Sequence, residues 1–202
     1  MAQPAHIILV TLEGLPHTGR SAMLRILHRV RPAWIMANID TTVSPWQSLM
    51  RKVSAIGSTT TMATGPRVVV LSAPWFEHVP QHPAALRLLR RLTTELIGVT
   101  DTLVALHVMV HLRASHDESF EQMVASGNAA YNNTTLNDLR SLQVCIAQEM
   151  LDAPTHHPFP STSYTLTCPP FFDDNEATLN SLATDVINIV EAVEVEALKE
   201  EA

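Results

Sequence analysis

The stretch EGLPHTGRS, residues 13–21, has the residue types and spacing of a phosphate-binding loop with one substitution. The pattern G-x-x-x-x-G-K-[ST] is met by Gly14, Gly19 and Ser21, and Arg20 stands where the pattern has lysine. In such a loop backbone amides at a helix N-terminus surround a phosphate, the lysine adds a compact positive charge, and the hydroxyl reaches Mg²⁺. Gly14, His17, Thr18, Gly19, Arg20 and Ser21 are therefore the candidate phosphate-binding residues, with Ser21 the candidate metal contact. Arg20 keeps the charge, but its planar fork is bulkier than an ammonium group and does not replace it neutrally at a tight site. Pro16 removes one amide from the loop. Two readings follow: a loop that holds a nucleotide phosphate, or a loop held by its own hydrogen bonds.

The elements around the loop fit the motif. HIILVTLEG (6–14) is a short apolar run rich in branched residues, expected as a buried parallel strand. SAMLRILHRV (21–30) puts Met23, Leu24 and Leu27 on one helical face before Pro32. Strand, glycine loop and helix in that order is the context a phosphate loop requires. Further strands are expected at 33–39, 67–73, 105–115 and 163–169. Helices are expected at 44–53, 83–98, 117–126, 135–151 and 176–200, with loops at 57–66 and 127–135. Strands alternating with helices predict an α/β fold, a parallel five-stranded sheet with helices on both faces. No internal repeat or boundary divides residues 1–202, so a single domain is expected.

Composition narrows the function classes. The chain has 202 residues, 46% of them hydrophobic and 16% charged, as expected of a globular domain with a substantial core. Its net charge of −7, with acids gathered in EAVEVEALKEEA (191–202), argues against nucleic acid as a partner. Cys145 and Cys168 fit no metal spacing and read as ordinary thiols of a reduced compartment. Ten histidines invite a metal site, yet the only adjacent pair, His156 and His157, has no carboxylate at a ligating spacing. The longest apolar run, TLVALHVMVHL (102–112), is too short to cross a bilayer, so no transmembrane segment is expected.

Four stretches together resemble the deoxynucleoside kinase family, which phosphorylates nucleosides with ATP on a P-loop kinase fold. LEGLPHTGRS (12–21) resembles the family's IEGNIGSGKS, and TTVSPWQSL (41–49) resembles EPVxxWxNL, with Val43 and Trp46 in place. VVVLSAPWFEHV (68–79) sits where the family has ERSxxxDR. HVMVHLRASHDESFEQMV with TTLNDLRSLQVCIAQEML (107–124 and 134–151) resembles the strand, lid helices and leucines around LRAS. The resemblance spans nearly the whole chain, with the lid at about residues 120–135.

The resemblance also shows what the chain lacks. The family's catalytic carboxylate falls on Thr41, which cannot take a proton near neutral pH. Asp40, one residue earlier, is the candidate base if the chain is active, with Arg20 as the charge on the phosphate; otherwise Asp40 is a capping or surface residue. ERS falls on Leu71, Ser72 and Ala73, and Glu77 and His78 match the later DR only loosely. Residues 120–135 contain no Lys or Arg, whereas a cation there is typically worth about 10³–10⁵ in rate. The segment between Trp46 and Val68 is short for the family's base-reading helix. Arg113, in LRAS, is expected to pack structurally. The expectation is a catalytically inactive kinase-like scaffold. It is similar in kind to the deoxynucleoside kinase-like accessory subunit of mitochondrial respiratory complex I. Such a chain would need no cofactor, with ATP, ADP or a deoxynucleotide (and Mg²⁺) bound only if the loop is occupied. Its partners would be protein subunits in a mitochondrion, with a homodimer only outside such an assembly. The alternatives are an active divergent nucleoside or nucleotide kinase, or a nucleotide-binding module without turnover, in the cytoplasm.

Overall fold

The computed structural model describes residues 7–38, 67–72, 104–127, 129–156, 161–169 and 175–200. The segments expected at 44–53, 57–66 and 83–98 lie outside these residues. So do Asp40, Thr41, Trp46, Ala73, Trp75, Glu77, His78 and His157.

The strands are β1 (Ile7–Gly14), β2 (Ile35–Asn38), β3 (Arg67–Ser72), β4 (Val104–Arg113) and β5 (Ser161–Thr167). They form one five-stranded sheet in the order β2-β3-β1-β4-β5, and every neighbouring pair is parallel. The helices are α1 (Arg20–Val30), α2 (His116–Ala125), α3 (Leu136–His156) and α4 (Glu176–Glu200), with a 3₁₀ turn at Ala129–Tyr131. Parallel strands need crossover helices, and the helices cover both faces, as the alternating pattern predicts.

Side-chain alternation assigns each face its layer. Ile8, Val10 and Leu12 of β1, Val68 and Val70 of β3, and Val108, Val110 and Leu112 of β4 join Met23, Leu24 and Leu27 of α1. Val186, Ile187 and Val190 of α4 complete this main core. Trp34 packs against it, half-buried. On the opposite face Met109 meets Leu142, Ile146 and Met150 of α3, and Leu15 from the loop inserts among them. The phosphate-loop region is thus pinned between two cores, one on either side of the sheet.

Local chemistry sets the helix ends. Thr135 and Asp138 form a capping box at the start of α3: the Thr135 amide donates to Asp138 Oδ2 at 2.7 Å, and the Asp138 amide to Thr135 Oγ1 at 3.3 Å. Asn175 Oδ1 accepts from the amides of Ala177 (3.1 Å) and Thr178 (3.2 Å) and starts α4. Arg29 pairs with Glu176 at 3.1 Å and Arg31 with Glu191, joining α1 to α4 at exposed positions. Cys168 is buried and Cys145 half-buried, and neither is in a disulfide. Among the described residues no helix is long and apolar enough to cross a membrane.

Leu27 is fully buried in the main core, whereas Leu151 on α3 is 74% exposed. We expect Leu27→Ala to lower stability by about 2–5 kcal/mol and Leu151→Ala to stay within about 0.5 kcal/mol, read from urea midpoints at constant m-value.

Candidate functional site

β1 ends at Gly14 and α1 begins at Arg20, so residues 14–19 form the loop that the motif predicts. Its turn depends on backbone the motif provides. Gly19, the residue before α1, sits at φ 64°, ψ 13°, in the left-handed region where glycine is free of strain. Gly14 needs its missing side chain for a different reason: a Cβ there would lie 2.6 Å from Thr18 Oγ1 and 2.9 Å from the Leu112 carbonyl oxygen. His17 also has positive φ (59°), an uncommon conformation for a side-chain-bearing residue.

The loop is held largely by its own atoms and by α2. The Thr18 hydroxyl donates to the Leu15 carbonyl at 2.8 Å, and the Thr18 amide donates to the same oxygen at 3.3 Å. The Ser119 hydroxyl of α2 donates to the Pro16 carbonyl. Leu15 and Thr18 are buried, and the His17 ring meets Tyr131 edge-on, with centroids 5.7 Å apart and planes at 62°. Tyr131 comes from the 3₁₀ turn between α2 and α3, so an aromatic ring from outside the loop lies against it.

Arg20 is folded inward. It is 6% exposed, and Glu13, at the end of β1, is 4% exposed. Burial lowers the Arg20 pKa, while attraction to Glu13 and then to Tyr131 opposes that shift. The charge that the motif offers to a phosphate therefore faces a carboxylate inside the protein. His17 is held below its ordinary pKa, first by burial and then by repulsion from Arg20, and its Nε2 is buried without a hydrogen-bond partner. Ser21, the candidate metal contact, is exposed on the first turn of α1.

The six candidate residues lie together at the β1–α1 turn, and several of the loop's polar groups are engaged within the protein. Pro16 has no amide, the Thr18 amide is turned to Leu15, and Arg20 is drawn to Glu13. What remains for an anion is the N-terminus of α1, which has no side-chain cap and no acidic residue in its first turn. The residues present fit a phosphate through backbone amides, not the charged clamp that MgATP chemistry requires. Among the described residues no group of three or more His, Cys, Asp or Glu is placed to hold a metal ion.

β4 carries two histidines on its α3-side face that the sequence reading did not assign. His107 bridges three strands, with Nε2 3.0 Å from Thr11 Oγ1 and Nδ1 3.2 Å from Ser161 Oγ. His111, two repeats of the pleat further along the same face, is 4% exposed, and its Nε2 has no hydrogen-bond partner. Burial, reinforced by the Arg113 charge, lowers its pKa to about 4. Arg113 itself is exposed rather than packed as expected; it is the last residue of β4.

Solved structures agree with this architecture. A deoxyadenosine kinase from M. mycoides, with products dCMP and a flexible dCDP bound, superposes with a TM-score of 0.51. It covers 92% of this chain and 100% of its own at 10% identity. The YorR protein of Bacillus subtilis, in complex with phosphorylated GDP, gives a TM-score of 0.50, covering 91% of this chain and 95% of its own at 11% identity. The chain has the deoxynucleoside kinase-like P-loop fold. At such identities the likeness concerns the path of the backbone, not the groups that do chemistry. No protein-family profile matches the sequence, and no curated protein does.

Two measurements test the site as described. Gly14→Ala forces a methyl group into Thr18 and a backbone carbonyl, and we expect a loss of about 1–3 kcal/mol in urea unfolding. For His111 the folded pKa lies below the unfolded value of 6.5, so the unfolded chain takes up the proton first as pH falls. Stability should therefore be intact above about pH 6.5 and decline towards pH 4, by at most about 3 kcal/mol from this residue. His17 adds loss of the same sign. His111→Gln should flatten the decline, and an unchanged pH profile in that variant would contradict the assignment.

Proposed function

We propose that this chain is a catalytically inactive kinase-fold protein that serves as an accessory structural subunit of a larger protein assembly. The observation that supports this reading is the burial of Arg20, whose charge is offset within the protein by Glu13. Phosphoryl transfer depends on positioned positive charge, a metal and a base. The residues that meet those needs in the family are replaced at Arg20, Thr41 and Leu71–Ala73, and the 120–135 segment has no cation. The packing residues are retained: the cores on both sheet faces, the buried Leu15 and the capped α3. A fold kept without its chemistry offers surfaces, and protein subunits are the partners proposed for it. By the resemblance stated above, mitochondrial respiratory complex I is the proposed assembly and the mitochondrion the proposed compartment, with no cofactor required and a homodimer only outside the assembly.

A second reading has its own support. The uncapped N-terminus of α1 would suit a nucleotide phosphate held without turnover. Ligand at about 100 times its dissociation constant adds about 2.7 kcal/mol of stability. Thermal unfolding with and without ATP or a deoxynucleotide therefore separates the two readings.

The structural-subunit reading is tested by the native size of the endogenous protein after gentle solubilisation, with mass spectrometry of the band. We expect co-migration at fixed stoichiometry with other subunits of a large complex; migration as a free monomer or dimer would overturn it.

A further inference from the structure

On the α3 side of the sheet an open cleft of about 650 Å³ lies between α3 and the C-terminal halves of β4 and β5. It is separate from the loop at Gly14–Gly19, none of whose residues line it. Its volume is in the range of small-molecule sites, about 300–1,000 Å³. His111 and Met150 are its buried members, and Val144, Ala147 and Leu151 give α3 an apolar wall. Arg113, His116 and Arg140 stand at the mouth.

Three observations distinguish this cleft from a gap in packing. The first is His111. His107 on the same face has both ring nitrogens engaged, but His111, equally buried, has Nε2 without a partner. An unmet buried polar atom is costly, and the His111 ring lines the cleft. The second is charge. In a chain of net charge −7, two arginines line the cleft, and among the described residues the carboxylate beside them is Asp117, 3.7 Å from Arg140 and 3.7 Å from His116. Among the described residues Arg113 pairs with no carboxylate. The third is the wall: Val144 and Leu151 are 69% and 74% exposed, an apolar strip beside a cationic mouth.

We propose that this cleft binds a small amphipathic organic anion, a carboxylate with an apolar body. The carboxylate meets Arg113 and Arg140 at the mouth, and the apolar body lies along Val144, Ala147 and Leu151. His111 at the floor supplies a hydrogen bond to a polar atom carried by the ligand or by a water bound with it. Arg113 is the specificity-determining contact, since its fork matches a carboxylate in a bidentate pair. This goes beyond the subunit role proposed above and does not depend on it.

The test uses the full chain and octanoate as the probe, with octylammonium and acetate as controls, by titration calorimetry and by NMR of the histidine side chains. We expect saturable binding of one octanoate with a dissociation constant on the order of 1 mM or below, a shift of the His111 ring signals, and much weaker binding of both controls. Arg113→Gln changes an exposed residue and should weaken octanoate about tenfold while leaving the fold intact. Ser21→Ala, at the loop, should leave it unchanged. Three results would each overturn the proposal: no saturable binding, octylammonium binding as well as octanoate, or affinity that responds to Ser21→Ala and not to Arg113→Gln.

Discussion

Taking Glu13 and Arg20 out of water together is the constraint to which the rest of the loop conforms. A buried guanidinium or carboxylate alone would be strongly disfavoured, and each is tolerable because the other is near. With Arg20 drawn to the end of β1, the loop closes over its own groups: Thr18 on Leu15, Ser119 on Pro16, and Tyr131 against His17. Leu15, fixed in the α3-side core, prevents the loop from lifting as a unit. Charge pairing, hydrogen bonding and packing thus favour one arrangement, in which the shape of a phosphate loop persists with its arginine buried.

Much of the fold was legible because burial writes itself into sequence periodicity. The apolar runs at β1 and β3, and the Met23, Leu24 and Leu27 face of α1, were read within a few residues of where the structure has them. α3 continues to His156 where the pattern suggested 151, since the expected end rested on the last leucine and helices run past their apolar face. The site was harder to read. The six motif residues do come together, but whether a cation points outward or inward depends on what lies beside it in space. Glu13 is in the quoted motif, yet nothing in its spacing says that it faces Arg20. Tyr131 is more than a hundred positions away from the loop and looked like part of a polar turn. Arg113 was expected to pack, and the strand's end leaves it exposed. His111 gave no signal, because β4 reads as an apolar run in which both histidines look alike. Only the partners at Thr11 and Ser161 distinguish His107 from it.

The two faces of the sheet carry different kinds of information. The α1 and α4 face is almost wholly apolar and accounts for most of the core. The α3 face mixes Thr11, Glu13, His107 and His111 with a small apolar cluster. Buried polar residues cost stability unless they are satisfied or serve a purpose, so this face is where function beyond folding is to be sought. It holds both the closed loop and the cleft behind α3.

The central proposal, that the loop transfers no phosphate, is tested most directly by nucleoside-dependent ADP release from ATP across a panel of ribo- and deoxynucleosides. We expect no release above the rate without nucleoside. Turnover with any nucleoside that disappears in Ser21→Ala would contradict the claim and make this chain an active kinase.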